Sequence, residues 1–201
     1  MLRPVTPKAM PPPRPDDLIN LATQLPRDRP LPPVERWNPP LSGEMNLRIA
    51  RDGVWYHEGT PILREALVRL FASILRRDAD GHYYLVTPVE KWCIQVDDAP
   101  FLAVRLDATG AGRDRILTFT TNLDDVVIAG PDHPLTVEYR TPDGEPAPYL
   151  HVRSRLRALL SRAVFLELAE LGEERRTDQG RESGVWSQGH YFRLGPLDDG
   201  D

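Results

Sequence analysis

Tyr149-Leu150-His151-Val152-Arg153 places a phenol, an imidazole and a guanidinium at alternate positions. In a strand, residues two apart share a face, so these three would stand in one row while Leu150 and Val152 face the core. Such a row, just ahead of a helix, has the donors to grip a phosphate or a carboxylate. The competing reading is a half-exposed strand whose Arg153 pairs with a nearby acid. Thr87-Pro88-Val89-Glu90-Lys91 is a second candidate. Lys91 is the one lysine of the folded body and stands beside Glu90 at the mouth of a strand. A salt-bridged surface lysine is the plainer account of it.

The remaining reactive groups read as structural. Asp97-Asp98 and Asp124-Asp125 are adjacent carboxylates at strand ends. Neighbours in sequence point apart, whereas acid–base partners converge from separate elements, so turn capping is the first expectation. Asp132-His133-Pro134 is a turn from which His133 can project into a cleft. Cys93, the one cysteine, sits in Trp92-Cys93-Ile94 and reads as a small buried hydrophobe. Ser187 is one residue out of step with a nucleophile elbow. The chain has no dinucleotide fingerprint, P-loop, His-Glu-x-x-His or paired-cysteine zinc pattern, so no cofactor and no metal is expected.

Composition narrows the partners. The formal charge is −5, and the 25 basic residues include only two lysines, Lys8 and Lys91. A net acidic chain with dispersed arginines lacks the footprint of a nucleic-acid binder. Even the apolar run Ala66 to Leu75 is interrupted by Arg69, so no membrane span is expected and the protein reads as cytoplasmic. A single thiol makes no internal bridge, which fits a reducing compartment.

These groups must be carried by a folded body behind an arm. Twelve of the 21 prolines fall in the first forty residues. They lack N–H groups and lock φ, so residues 1–40 read as a proline-rich strap with one short helix from Asp16 to Leu25. Asn46–Ala50 and Val54–Glu58 flank Asp52-Gly53, a hairpin signal. Thr60 and Pro61 read as the N-cap and first residue of a helix whose apolar stripe runs to Leu75, with Glu65 and Arg69 paired on its surface. Strands are predicted at Tyr83–Val86, Lys91–Val96, Phe101–Leu106, Ile116–Thr120, Val126–Ala129, Leu135–Tyr139 and Tyr149–Val152, and their short loops imply antiparallel pairing. A second helix is predicted from Ser154 to Leu171, either buried all round or broken near Ser161-Arg162. Glu173 to Ser183 reads as a polar mobile loop, followed by a last hairpin. Gly-Val-Trp recurs at Gly53 and Gly184, which points to duplication. The fold class is α+β: two related small units, residues 41–95 and 96–201, with mainly antiparallel strands.

Trp37-Asn38-Pro39-Pro40, Arg48-Ile49-Ala50-Arg51-Asp52-Gly53, Thr87-Pro88-Val89-Glu90-Lys91, Asp97-Asp98-Ala99-Pro100-Phe101, Asp132-His133-Pro134-Leu135 and Tyr149-Leu150-His151-Val152-Arg153 together resemble, in that order, the proteobacterial family known as domain of unknown function 1285. The likeness runs from about Leu31 to Leu194. It implies a duplicated α+β core whose C-terminal half is superficially like a pleckstrin-homology domain. It also implies a site between the halves suited to a nucleotide-type ligand, and a role in signal transduction. The matching residues placed near such a site are Arg64, Thr87, Glu90, Lys91, His133, Tyr149, His151 and Arg153.

Three functions follow. The first is non-catalytic binding of a small anionic, nucleotide-type ligand between the halves. The second is a hydrolase using His151 or His133 as base with Asp97 or Asp98. The third is an interaction module that recruits a protein through the arm or a sheet edge.

Overall fold

The structure, a computed structural model, describes residues 31–139, 144–178 and 180–197. The arm through residue 30, with the helix expected from Asp16 to Leu25, lies outside the described residues. What is described is mostly β, with two short helices.

The N-terminal half is one mixed sheet and a helix. Strands β1 (Leu41–Ile49), β2 (Trp55–His57) and β3 (Thr60–Pro61) form a meander, helix α1 (Glu65–Ser73) follows, and β4 (Leu75–Arg77), β5 (Tyr83–Val86) and β6 (Lys91–Val96) form a second meander. The strand order is β3-β2-β1-β6-β5-β4, with β1 and β6 parallel at the centre. The C-terminal half has a second six-stranded sheet, with no helix between its two meanders: β7 (Phe101–Thr109), β8 (Ile116–Thr121), β9 (Val126–Ile128), β10 (Leu135–Tyr139), β11 (Pro146–Arg153) and β12 (Leu156–Leu160). Its order is β10-β11-β12-β7-β8-β9, with β7 and β12 parallel. In both sheets the first strand of one meander joins the last strand of the next. Helix α2 (Arg162–Glu170) and the three-stranded sheet β13 (Glu173–Thr177), β14 (Gly180–Ser187) and β15 (His190–Pro196) complete the body.

The structure departs from the sequence pattern at both helices. Thr60 and Pro61 do not open α1; they pair with β2 as an edge strand, where a missing N–H costs nothing. The helix starts only after Arg64. Its buried residues are Leu67, Val68, Leu70, Phe71 and Ala72, and burying each large one stabilises by about 1.5–3 kcal/mol. The second predicted helix is strand in its first part. Leu156–Leu160 is held between β11 and β7, so its leucines meet apolar neighbours on both faces of the sheet. Ser161 then caps α2, its Oγ accepting from the Val164 N–H at 3.3 Å.

Glu173–Thr177 and Gly180–Ser187 are paired strands where the sequence pattern suggests a loop up to Ser183. Cross-strand charge pairs replace apolar packing there, with Arg181 on Glu174 at 2.6 Å and Arg193 on Glu182 at 3.0 Å. Gly53-Val54-Trp55 leads into β2 while Gly184-Val185-Trp186 lies within β14, and these strands hold different places in the topology. The likeness of the two halves therefore lies in the strand order of their six-stranded sheets and not in that tripeptide.

One continuous apolar core joins the halves, running from Trp55 and Phe71 through Phe101 and Phe119 to Leu168. The Trp55 and Phe71 rings stack with centroids 6.2 Å apart. Polar contacts seal the rim. Arg69 donates to the Leu123 carbonyl at 2.7 Å and pairs with Asp124, leaving Glu65 as its more distant partner at 3.9 Å. Asn122 donates to the Gly53 carbonyl at 3.3 Å and accepts from the Leu102 N–H at 3.0 Å.

Candidate functional site

A cavity of about 510 Å³ lies beside β9, the β9–β10 turn and the end of β11. Val126, Val127 and Val152 give it an aliphatic wall, while His133, Arg153 and Gln188 bring polar groups to it. Asp125 and Asp132 also line it, so its charge is mixed. Gly130 lets the Gln188 amide lie close, since a Cβ there would stand 2.1 Å from the Gln188 Oε1 and displace that side chain.

His133 is set by a tight turn in which Gly130 and His133 exchange backbone hydrogen bonds at 3.1 Å. Its Nδ1 lies 3.1 Å from the His151 carbonyl oxygen. A carbonyl only accepts, so Nδ1 carries the proton and Nε2 of the neutral ring is a lone pair. The His151 ring stacks on His133 at 5.7 Å. Its own nitrogens face two carbonyls, Asp132 at 2.9 Å and Ser154 at 2.7 Å. A neutral imidazole donates to one of these, an imidazolium to both.

Arg153 ties the cavity to the N-terminal half. Its guanidinium donates to Asp125 at 3.2 Å and to the Ala72 carbonyl, at the end of α1, at 3.0 Å. It also lies 4.7 Å from the centroid of the Phe101 ring. A planar fork with five donors can serve all these partners at once.

The expected row of Tyr149, His151 and Arg153 does not face one hollow. Tyr149 is 2 % exposed and packs in a separate small cluster with Ala99, Ala147 and Leu159. Its hydroxyl donates to Asp98 at 2.6 Å, and the Arg157 guanidinium covers its ring. The pairing of β11 with β12 then slips between His151 and Arg153, so Arg153 reaches Phe101 of the main core instead of continuing the row. An irregularity of this kind re-aims the side chain that follows it.

The other expected site residues stand elsewhere. Arg64 is exposed at the start of α1. Thr87 closes the β5–β6 turn, its Oγ1 accepting from the Glu90 N–H at 3.1 Å. Glu90 accepts from the Trp92 indole at 3.3 Å. Lys91 pairs with Asp78 at 3.2 Å and sits 4.6 Å from the Tyr84 ring centroid. Burial works to raise the Asp78 carboxyl, but hydrogen bonds from Arg76 and Lys91 outweigh it and hold the group below the usual range. Arg76, buried, also donates to the Val34 and Trp37 carbonyls at 2.9 and 2.7 Å, fastening residues 34–37 to β4.

The carboxylate pairs serve arginines more than turns. Asp97 binds Arg48 at 2.7 Å, Asp98 binds Arg51 at 3.2 Å, Asp124 binds Arg69 and Asp125 binds Arg153. The histidines hold backbone carbonyls, so the His–Asp pairing expected of a hydrolase is not formed among the described residues. Ser187 is fully buried between the Ala129 carbonyl and the Leu117 N–H, at 2.7 and 3.0 Å, which makes it a structural bond rather than a nucleophile. Cys93 is half-buried rather than buried. Sequence reading missed Gln188 and Val127 as lining residues; the Gln188-Gly189 turn was the available signal for the first.

Fold and cavity together define a class: a two-part, mostly β protein whose halves share one core and whose cavity lies beside their junction. Residues 32–99 match the family model described as domain of unknown function (DUF1285), N-terminal domain, and residues 100–194 match protein of unknown function (DUF1285), C-terminal domain. The chain belongs to the DUF1285 family. Among solved structures it is similar to a DUF1285 family protein from Silicibacter pomeroyi DSS-3, with 46% identity and a TM-score of 0.80 over 90% of this chain and 95% of that one. A DUF1285 family protein from Shewanella baltica OS155 aligns at 28% identity and a TM-score of 0.49 over 63% of this chain and 92% of that one. No curated protein matches the chain. Among the described residues no helix is long and apolar enough to cross a membrane.

Proposed function

We propose that the protein is a non-catalytic binder of a small anionic, nucleotide-type ligand, seated in the cavity beside His133 and Arg153 and reported to a partner in signal transduction. The observation that carries this is the double duty of Arg153, which lines the cavity and holds the Ala72 carbonyl of the other half. A ligand anion that draws the guanidinium from Asp125 thereby acts on the junction. The aliphatic wall suits a flat base, and Gln188, Asp132 and the His133 Nε2 suit its donors and acceptors. The reading keeps the halves as residues 41–95 and 96–201, related by duplication. The shared strand order supports the duplication. The likeness of the C-terminal half to a pleckstrin-homology domain is part of the proposal too, supported by α2 following β12.

Thermal-shift measurements against nucleoside mono-, di- and triphosphates test it. Ligand at 100 times its Kd stabilises by about 2.7 kcal/mol, well within reach of such a screen. A shift that disappears in His133→Ala, a variant that leaves the Arg153 contacts in place, supports the reading. Melting that no nucleotide alters, or a shift indifferent to His133→Ala and Gln188→Ala, overturns it.

A further inference from the structure

A larger open bowl, about 860 Å³, lies on the outer face of the N-terminal sheet. It forms where β1 and β6 part. Glu44 pairs with Cys93 and Arg48 with Gln95, so three β1 residues stand against the single Ile94 of β6. A bulge of this kind opens the ladder and turns side chains away from their regular positions.

Glu44, Asn46, Arg48, Tyr56, His82 and Cys93 meet at this bowl. The charge of Arg48 is spent on Asp97, which it holds at 3.0 and 2.7 Å, and its guanidinium lies 5.6 Å from the Tyr56 ring centroid. In contrast, no described hydrogen bond or ion pair uses the Glu44 carboxylate, the Asn46 amide, the Tyr56 hydroxyl or the His82 ring. Four polar side chains without a protein hydrogen-bond partner among the described residues, three of them solvent-exposed, thus line one concavity.

Their chemistry narrows the ligand. A phosphate needs an unspent cation, and Arg48 is already neutralised. A greasy ligand needs enclosing apolar walls, and here Met45, Leu47 and Ile94 share an open lining with charged and amide side chains. Covalent capture needs a thiolate, whereas burial, and then the Glu44 carboxylate, push the Cys93 thiol up and keep it protonated at neutral pH. Planar amide and carboxylate groups beside an aromatic ring suit adjacent hydroxyls on a ring with an apolar C–H face.

We infer that this bowl binds a neutral polyhydroxylated ligand, a small saccharide, with Glu44 and Asn46 on its hydroxyls and Tyr56 against its C–H face. The site is separate from the cavity beside Arg153 and stands or falls independently of it.

Cys93 supplies the readout, because it is the chain's one cysteine and lines the bowl. The full chain is labelled with a thiol reagent at mildly alkaline pH while neutral mono- and disaccharides, nucleotides and a polyamine are added in turn. A saccharide should slow labelling several-fold and saturably, and Tyr56→Ala should abolish that protection with the melting temperature retained. Should Tyr56→Ala fail to fold, Asn46→Ala and Glu44→Gln, at exposed positions, should each weaken protection at least five-fold. The inference is overturned if no saccharide protects at about 10 mM, ten times a weak-binding Kd of about 1 mM. Protection by only the nucleotide or the polyamine, or protection that survives every one of these substitutions, overturns it equally.

Discussion

The Arg153 guanidinium donates to the Ala72 carbonyl across the junction of the two halves, at 3.0 Å. The same group holds Asp125 at 3.2 Å and covers Phe101. Arg153→Ala should therefore lower stability by about 1.5–3 kcal/mol, the range for hydrogen bonds to a charged group. Arg153→Lys should recover little of this, because a point charge cannot span both partners. Urea unfolding of the three proteins checks it; a lysine variant as stable as the parent would refute the clamp.

Gly53 offers a second probe of the junction. Its φ is +83°, and a Cβ there would lie 2.6 Å from the Asn122 Nδ2. Gly53→Ala should cost about 1–2 kcal/mol for the left-handed backbone, with more from the displaced Asn122. Thermal denaturation of Gly53→Ala alone and combined with Asn122→Ala should show the two losses to be coupled rather than additive.

Ser187→Ala should loosen the three-stranded sheet from its neighbour, leaving the Gln188 N–H on the Arg115 carbonyl and the Tyr139 hydroxyl on the Leu194 carbonyl as remaining ties. It leaves the buried Leu117 N–H and Ala129 carbonyl without their partner, at a cost of about 1–3 kcal/mol. Amide exchange at Leu117 should speed up well before that of core positions such as Ile49.

Stability should fall at both ends of the pH scale. Arg48 hydrogen bonds hold the Asp97 carboxyl below the usual range, the His82 N–H and Tyr84 hydroxyl do so for Asp80, and Asp78 is lowered as described. A depressed carboxyl stabilises the fold above its unfolded value of about 3.9, and the gain is lost as pH falls through the folded value. Tyr84 runs the other way: its bond to Asp80, then burial, push the phenol up to about 12. Its contribution is complete below the unfolded value of about 10 and is lost as pH rises through the folded one. Urea midpoints against pH should show an acid limb below about 4 and an alkaline limb that Tyr84→Phe reduces, the rest belonging to Tyr83 and Tyr191, whose phenols burial also pushes up.

Local chemistry made much of this protein legible. Asp52-Gly53 between two apolar stretches is a hairpin whatever surrounds it, because few residues other than glycine reach φ of +83° cheaply. Short runs such as Tyr83–Val86 and Leu135–Tyr139, fenced by turn residues, are strands where expected. Leu156–Leu160 was not legible, since an all-round apolar run satisfies a buried helix and a buried strand alike and only its neighbours β7 and β11 choose. The charged segment 173–183 hid its strands for the opposite reason: its pairing rests on Arg–Glu contacts that leave no apolar alternation.

The candidate sites divide in the same way. Sequence by itself determined the turn that carries His133, the alternation that sends Leu150 and Val152 inward, and the absence of any nucleotide-loop or zinc motif. The tertiary structure alone decided that Tyr149 is buried on Asp98, that Arg153 crosses to Ala72, and that Glu44, Tyr56 and His82 meet at one bowl. The physical reason is range. Backbone conformation answers to residues a few places away, whereas a side chain's partner depends on which strands lie side by side, and a one-residue slip in that pairing turns the side chain to another face.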